Sequence, residues 1–277
     1  MSTYLLNDGN LIPSIGFGTY KSANGPETIQ AVKWALEAGY RHIDTAAIYE
    51  NEESVGEAIK QSSVPREEIF VTSKVWNTER GYDKARAAFM ATLKRLDLEY
   101  LDLYLIHWPA VSTFHENWKE LNAETWRALE DLKEEGLIKS IGVSNFLVEH
   151  LQALFETAEI VPAVNQIEYH PGQNQQDLVD FCEDNGILIE AWGPMARGKV
   201  LDNEILKQIA SKHETSVAQV CIQWCLQNAI APLPKSVTKE RIEHNIQINF
   251  ELTEEEVQKI NSLPYIGGSG LDPMQMP

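Results

Sequence analysis

Arg41-His-Ile-Asp-Thr-Ala-Ala-Ile-Tyr-Glu-Asn-Glu-Glu-Ser-Val-Gly56 changes character twice. It begins as a short strand, Arg41 to Ile43. The apolar run stops at Asp44, turns through small residues, and restarts as a helix near Asn51. Asp44 and Tyr49 are therefore expected at or just past the C-terminal end of a strand. In a barrel of parallel strands, reacting groups collect at that end. Taken alone, the stretch is better read as a surface turn with a solvated aspartate and a half-buried tyrosine. The rest of the chain decides between the two.

Working outward, apolar runs of strand length alternate with stretches of helical period. Strand candidates start near residues 14, 41, 69, 101, 138, 163, 187 and 230, and each is followed by helix. Ile29, Val32, Ala35 and Leu36 give the first helix its apolar face. Asp8-Gly9, between short apolar runs, predicts an N-terminal β-hairpin. Two closing helices are expected over 238–246 and 253–263, and a plausible Asp202 cap opens an earlier one. The pattern predicts a (β/α)8 TIM barrel with an N-terminal hairpin and additional C-terminal helices, as one domain over residues 1–277. A doubly wound open sheet would place a glycine-rich phosphate loop after the first strand. Gly16 and Gly18 lack the third glycine of that fingerprint, and the helix after them comes too late.

The formal net charge of -18 argues against broad contact with nucleic acid or anionic membranes. Cys182, Cys221 and Cys225 are an odd number without disulfide spacing, which points to a reducing compartment and to core packing. No His or Cys pair completes a metal site around them. The N-terminus has no basic start and no apolar run of signal length, and no segment reaches membrane-span length without charges. A soluble, cytoplasmic protein is expected.

Four expected strand ends or adjoining loops carry Asp44, Tyr49, Lys74 and His107. A barrel gathers such positions around one mouth. A tyrosine is a poor acid at neutral pH, and a nearby ammonium lowers its pKa. An aspartate holds the ammonium in place. A histidine within reach of the same oxygen can orient a substrate or relay a proton. Singly, each has an ordinary reading as a cap, a wall residue, a surface charge or a satisfied histidine.

Together with Gly16-Phe-Gly-Thr19, Asp44-Thr-Ala-Ala-Ile-Tyr49, Gly142-Val-Ser-Asn145, Asn165-Gln166, Glu168-Tyr-His-Pro171 and Pro234-Lys-Ser236, these residues resemble the aldo-keto reductases. The likeness runs from Asp8-Gly9 to about Leu263. It is strongest to the short bacterial members described as 2,5-diketo-D-gluconate reductases and glyoxal or methylglyoxal reductases. The resemblance implies a monomeric barrel that reduces a small-molecule carbonyl with NADPH. Tyr49, Lys74, Asp44 and His107 would form its catalytic group.

By the same resemblance, Ser144, Asn145 and Gln166 would hold the nicotinamide carboxamide, and Trp192 would stack on the ring. Gly193 and Pro194 would open the loop over the pyrophosphate, with Gly193 in place of the usual serine. Lys235, Ser236 and Arg241 would clamp the 2'-phosphate, and Asn245 would meet the adenine beside His244, where Glu or Gln is common. Tyr20, Trp76, Trp108 and Phe114 are expected at the substrate mouth. The tail after Leu263 is short, so an open mouth and broad specificity are expected. Two other classes share these features: a non-catalytic NADPH-binding barrel, and a barrel isomerase or aldolase using Lys74.

Overall fold

The computed structural model describes residues 2–277. Strands β1 (Thr3–Leu5) and β2 (Leu11–Pro13) pair antiparallel around Asp8-Gly9. Gly9 takes a φ of +86°, a region glycine enters without steric cost. Leu6 and Ile12 of this hairpin pack against Phe70, Leu103, Ala163 and Val164, and so seal the N-terminal end of the sheet.

Eight parallel strands follow: β3 (Phe17–Gly18), β4 (His42–Asp44), β5 (Phe70–Val75), β6 (Leu101–Ile106), β7 (Ile138–Ser144), β8 (Val164–Glu168), β9 (Leu188–Trp192) and β10 (Ala231–Leu233). Each is hydrogen-bonded to its neighbours in chain order. The first strand of the ring, expected from near residue 14, is only two residues long, yet it closes the ring. Gly16 N–H donates to the Pro232 carbonyl at 3.0 Å, and Gly18 N–H to the Pro234 carbonyl at 3.1 Å. A side chain at Gly16 would place its Cβ 2.6 Å from the His42 ring, so this seam admits only glycine without displacement. Pro232 in β10 and Pro234 just after it act there as acceptors, where their missing N–H does no harm.

Among the described residues ten α-helices surround the sheet: α1 (Pro26–Ala38), α2 (Glu52–Gln61), α3 (Tyr82–Leu96), α4 (Trp118–Glu134), α5 (Val148–Phe155), α6 (Gln176–Asp184), α7 (Glu204–Lys212), α8 (Val217–Gln227), α9 (Lys239–Ile246) and α10 (Glu254–Asn261). The cap of α7 is Asn203 and not Asp202. Asn203 Oδ1 accepts from Ile205 and Leu206 N–H, while the Asp202 carboxylate pairs with Lys207. Strand residues facing outward join the main apolar core with the helices, and all three cysteines are free and buried there. Among the described residues no helix is long and apolar enough to cross a membrane.

The inward face is different. Gln166 on β8 hydrogen-bonds Asp44 on β4, two strands that are not neighbours in the sheet, so that contact crosses the barrel interior. The layer next to the hairpin is apolar, and buried polar residues such as His42, Glu190, Asp44 and Lys74 lie above it. This division places the chemistry at the C-terminal mouth.

The stretch that opens the chain's decisive turn also fixes how α2 meets α3. A Cβ at Gly56 would lie 2.1 Å from the Leu96 carbonyl oxygen and 2.9 Å from Leu96 Cα. Backbone cannot yield there as a side chain can. Gly56→Ala is expected to destabilise the fold by about 1–3 kcal/mol. The midpoint of urea unfolding measures this, and an unchanged midpoint would contradict the close approach.

Candidate active site

Asp44 ends β4, and Lys74 lies one residue from the end of β5. Lys74 is fully buried and Asp44 nearly so. The Lys74 ammonium donates to both Asp44 oxygens, at 2.8 and 2.7 Å, and to the Thr45 carbonyl at 2.9 Å. Its remaining reach is to the Tyr49 hydroxyl at 3.4 Å. A short 3-10 turn, Ala47–Tyr49, swings the tyrosine back over the mouth. His107 follows β6. Its ring meets Tyr49 edge-on at 5.7 Å and Trp76 at 5.1 Å. The four residues thus come together, as their positions at strand ends require.

Their electrostatics depart from the simple expectation in one respect. Burial pushes the Tyr49 hydroxyl up to about 12. Lys74 pulls the other way without prevailing, because Asp44 offsets much of its charge and adds its own opposing field. Tyr49 is therefore a protonated phenol at neutral pH, not one poised near ionisation. For Lys74, burial disfavours the ammonium, but Asp44 and Tyr49 outweigh it and raise its pKa. Burial, with Lys74 added, holds His107 well below its ordinary range, so the imidazole is neutral, and its Nδ1 has no partner.

Ser144, Asn145, Gln166 and Trp192 form one hydrogen-bonded group beside these four. Ser144 Oγ donates to the Gln166 carbonyl at 2.7 Å. Asn145 Nδ2 donates to the His107 carbonyl at 2.9 Å and to Ser144 Oγ at 3.0 Å, while its Oδ1 accepts from Trp192 Nε1 at 2.8 Å. The indole is thereby held in one orientation. Asn145 takes a left-handed φ of +62°, which asparagine tolerates better than bulkier residues.

Gly193 has a φ of +65°, so the glycine there answers a backbone demand. Pro194 is buried after it. Farther along the mouth, Lys235 is half-buried and donates to the Lys21 carbonyl at 3.3 Å. Ser236 Oγ accepts from Thr238 N–H at the start of α9. The ion pair on α9 joins Lys239 to Glu243 and leaves Arg241 exposed, with Asn245 buried one turn on.

Of the four aromatic residues expected at the mouth, three meet there. Tyr20 lies 5.0 Å from Tyr49, and Trp76 and Trp108 flank His107. Phe114 is 45% exposed on the loop after β6 and joins none of these ring contacts. The mouth is not uncovered. The tail returns across it, with Ser269 donating through N–H and Oγ to the two Glu168 oxygens, both at 2.6 Å. Lys199 holds the Gly268 carbonyl, and Asn77 holds that of Pro277. Leu271 and Pro273 line a small cleft with Trp108, Asn145 and Trp192. No composition signal marks this tail. Its glycines and serine read as an irregular end.

Sequence reasoning also missed Arg197, which sits over the rings of Tyr20 and Trp192 at 5.7 and 5.9 Å. It missed Glu190 as well, buried in the interior. A charged residue at an inward position of an apolar strand, Ile187-Leu-Ile-Glu-Ala-Trp192, was the available signal. Among the described residues no cluster suits a metal ion.

Fold and site define a (β/α)8 barrel with a buried lysine–carboxylate pair beneath a mouth-facing tyrosine. Residues 14–264 match the aldo/keto reductase family, and the chain belongs to it, as an oxidoreductase. It is 51% identical over 262 residues to glyoxal reductase of Bacillus subtilis, spanning 94% of this chain and 92% of that one. It is 42% identical over 273 residues to methylglyoxal reductase DkgA of Escherichia coli K12, at 98% and 96% coverage. The structure of a Bombyx mori aldo-keto reductase in complex with NADP superposes with a TM-score of 0.85 at 40% identity, covering 94% of this chain and 92% of that one.

The buried pair generates a stability prediction. Lys74→Met leaves Asp44 enclosed without its counter-ion and is expected to cost about 3–5 kcal/mol. Adding Asp44→Asn removes the stranded charge and should recover much of the loss. Chemical denaturation of both variants tests this. A single variant as stable as its parent would mean that the pair is not sheltered from water.

Proposed function

We propose that this chain is an NADPH-dependent reductase of aldehydes, α-dicarbonyls or keto-sugars, with Tyr49 as general acid assisted by Lys74, Asp44 and His107. One observation carries the reading: a single ammonium bound to a carboxylate on one side and facing a phenol hydroxyl at 3.4 Å on the other. The names of the two bacterial relatives, glyoxal and methylglyoxal reductase, favour small dicarbonyl substrates.

The residues present fit the cofactor. Gln166 commits its Nε2 to the interior, which leaves Oε1 as an acceptor for a carboxamide, and Ser144 and Asn145 stand beside it. Trp192, fixed by Asn145, offers a flat ring for the nicotinamide. Gly193 and Pro194 begin the loop over the pyrophosphate. Lys235, Ser236 and Arg241 suit the 2'-phosphate at the N-terminal end of α9. Asn245 suits the adenine.

NADPH, when bound, supplies the hydride that reaches the carbonyl carbon. Tyr49 donates its proton to the carbonyl oxygen as negative charge grows there. Its protonated state makes the proton available. Lys74 then stabilises the phenolate left behind, and Asp44 keeps Lys74 in place. Neutral His107 orients the carbonyl through a ring nitrogen. Tyr20, Trp76 and Trp108 form apolar walls that limit water, with Phe114 at the rim. An aldolase role for Lys74 is disfavoured, because its raised pKa denies it the neutral amine that Schiff-base chemistry needs.

Tyr49→Phe is expected to keep NADPH affinity and to slow reduction of a small aldehyde by about 10²–10⁴-fold. Single-turnover absorbance decay of the reduced cofactor measures this. A near-parental rate would remove Tyr49 from its role. A non-catalytic cofactor-binding barrel would give saturable NADPH binding with no carbonyl-dependent decay in the parent either.

Cofactor choice gives a separate test. Arg241→Ala is expected to weaken NADPH by about 10–100-fold, the size of a lost charge-assisted hydrogen bond, with little change for NADH. Fluorescence titrations with both cofactors decide it. Equal losses for the two would show that Arg241 does not meet the extra phosphate.

A further inference from the structure

Beneath the Lys74–Asp44 pair the barrel encloses a second carboxylate. Glu190, at the centre of β9, has no exposed surface. Its Oε2 accepts from Gln166 Nε2 at 3.0 Å, and the same nitrogen donates to Asp44 Oδ2 at 2.8 Å. One amide thus ties two acids together. The other oxygen, Glu190 Oε1, has no hydrogen-bond partner, and neither has His42 Nδ1. These two unpartnered atoms face each other at 3.6 Å. The far nitrogen of the ring, His42 Nε2, is 2.9 Å from Thr72 Oγ1.

The titratable groups that face Glu190 are His42 and Asp44 from β4 and Lys74 from β5. β8 presents Gln166, and β10 on the other side has no titratable residue. If both acids were ionised, two anions would share one ammonium in a sealed interior. An uncompensated buried charge of that kind is strongly disfavoured. A single proton on Glu190 Oε1 removes the surplus charge and turns an O–H, in place of a second lone pair, toward His42 Nδ1. Neutral His42 with its proton on Nε2 can donate to Thr72 Oγ1 at 2.9 Å, and its Nδ1 lone pair then faces the Glu190 proton across 3.6 Å. Burial and the Asp44 charge push Glu190 up to about 8, against the pull of Gln166 and Lys74. Burial, with Lys74, brings His42 down to about 3.

We propose that Glu190 is a positioning residue that carries a proton shared toward His42, keeps the floor beneath Lys74 and Asp44 uncharged, and turns the Gln166 amide so that its carbonyl faces the mouth. The catalytic part of this proposal rests on the carbonyl-reductase reading. The protonation of Glu190 does not. When Glu190 loses its proton, Lys74 gains a second anion beneath it and stabilises a Tyr49 phenolate less well, so turnover falls. The same ionisation acts on stability. The unfolded chain releases this proton near the ordinary 4.5 and the folded protein near 8, so the folded state holds the extra proton between those values. Its contribution is full below the lower value and is lost as pH rises through the upper one.

The experiment compares parent, Glu190→Gln and Glu190→Leu. Difference infrared spectra at about pH 6 should show a protonated carboxyl band in the parent that Glu190→Gln lacks, and this band should disappear as pH passes about 8. Melting temperature should fall more across that interval for the parent than for Glu190→Gln. An ionised carboxylate at about pH 6 together with parallel melting curves would overturn the proposal. In turnover, Glu190→Leu should lose about 10²-fold through misplacement of Gln166, with weaker NADPH binding by fluorescence. Glu190→Gln should recover most of both and lose the parent's alkaline decline. A Leu variant with parental turnover and NADPH affinity, or a Gln variant whose alkaline decline overlies the parent's, would overturn it equally. If the parent reduces no carbonyl at all, the functional reading fails, while the infrared and melting data still decide the state of Glu190.

Discussion

The Lys74 ammonium, sealed inside a ring of strands, sets the terms for its surroundings. An ammonium without water must find oxygen for every proton it carries. Here Asp44, the Thr45 carbonyl and the Tyr49 hydroxyl meet it, all from one short stretch at the end of β4. The register of β4 against β5, with Asp44 opposite Thr72, brings that stretch level with Lys74. Slipping either strand by one residue would turn its charged side chain out among the helices. The charge pair thus specifies the alignment of two strands as well as the chemistry at their ends.

From that pair, satisfied hydrogen bonds spread around the mouth. Asp44 accepts from the Gln166 side chain, the Gln166 main-chain carbonyl accepts from Ser144, Ser144 accepts from Asn145, and Asn145 fixes Trp192. Three of these links join strands, β4 to β8, β8 to β7 and β7 to β9, so those strands share one geometry at their upper ends. Side chains bound on two sides in this way resist turning, because Asn145 and Gln166 each lose two hydrogen bonds if they rotate. The loops above it are built differently. Arg197 and Ala196 take left-handed backbone angles, and the tail is held mainly by Glu168, Lys199 and Asn77. On the proposed function, the reaction class belongs to the rigid layer. Substrate choice belongs to the layer held by a handful of polar contacts.

This division explains what could be read in the sequence. Alternating strand and helix patterns, with polar residues at strand ends, were visible because burial imposes period and because a barrel brings those ends together. Tyr49, Lys74, Asp44 and His107 could be found for that reason. The tail's path could not, since Ser269 and Gly268 meet Glu168 and Lys199 only through folding at long range. The Tyr49 pKa was misjudged for a related cause. The sequence announces the lysine, but the depth of burial that outweighs it is a property of the closed mouth. Glu190 was legible in form, as a charge inside an apolar strand, yet its meaning depends on Gln166 and His42 lying across the barrel.

The chain's charge adds one more constraint. With 41 acidic and 23 basic residues, the surface as a whole repels an anionic cofactor. Such a protein can hold a phosphate only where cations are concentrated and local acids are engaged elsewhere. At the end of β10, Lys235 lies against the Lys21 carbonyl, and Glu243 is drawn to Lys239, away from Arg241. Screening reduces the repulsion from distant acids within about 8–10 Å in physiological salt, whereas contacts with these cations are much shorter. The distant field is therefore weakened and the local one is kept. The same logic holds inside the barrel, where there is no salt to screen a surplus anion and a proton on Glu190 must take its place.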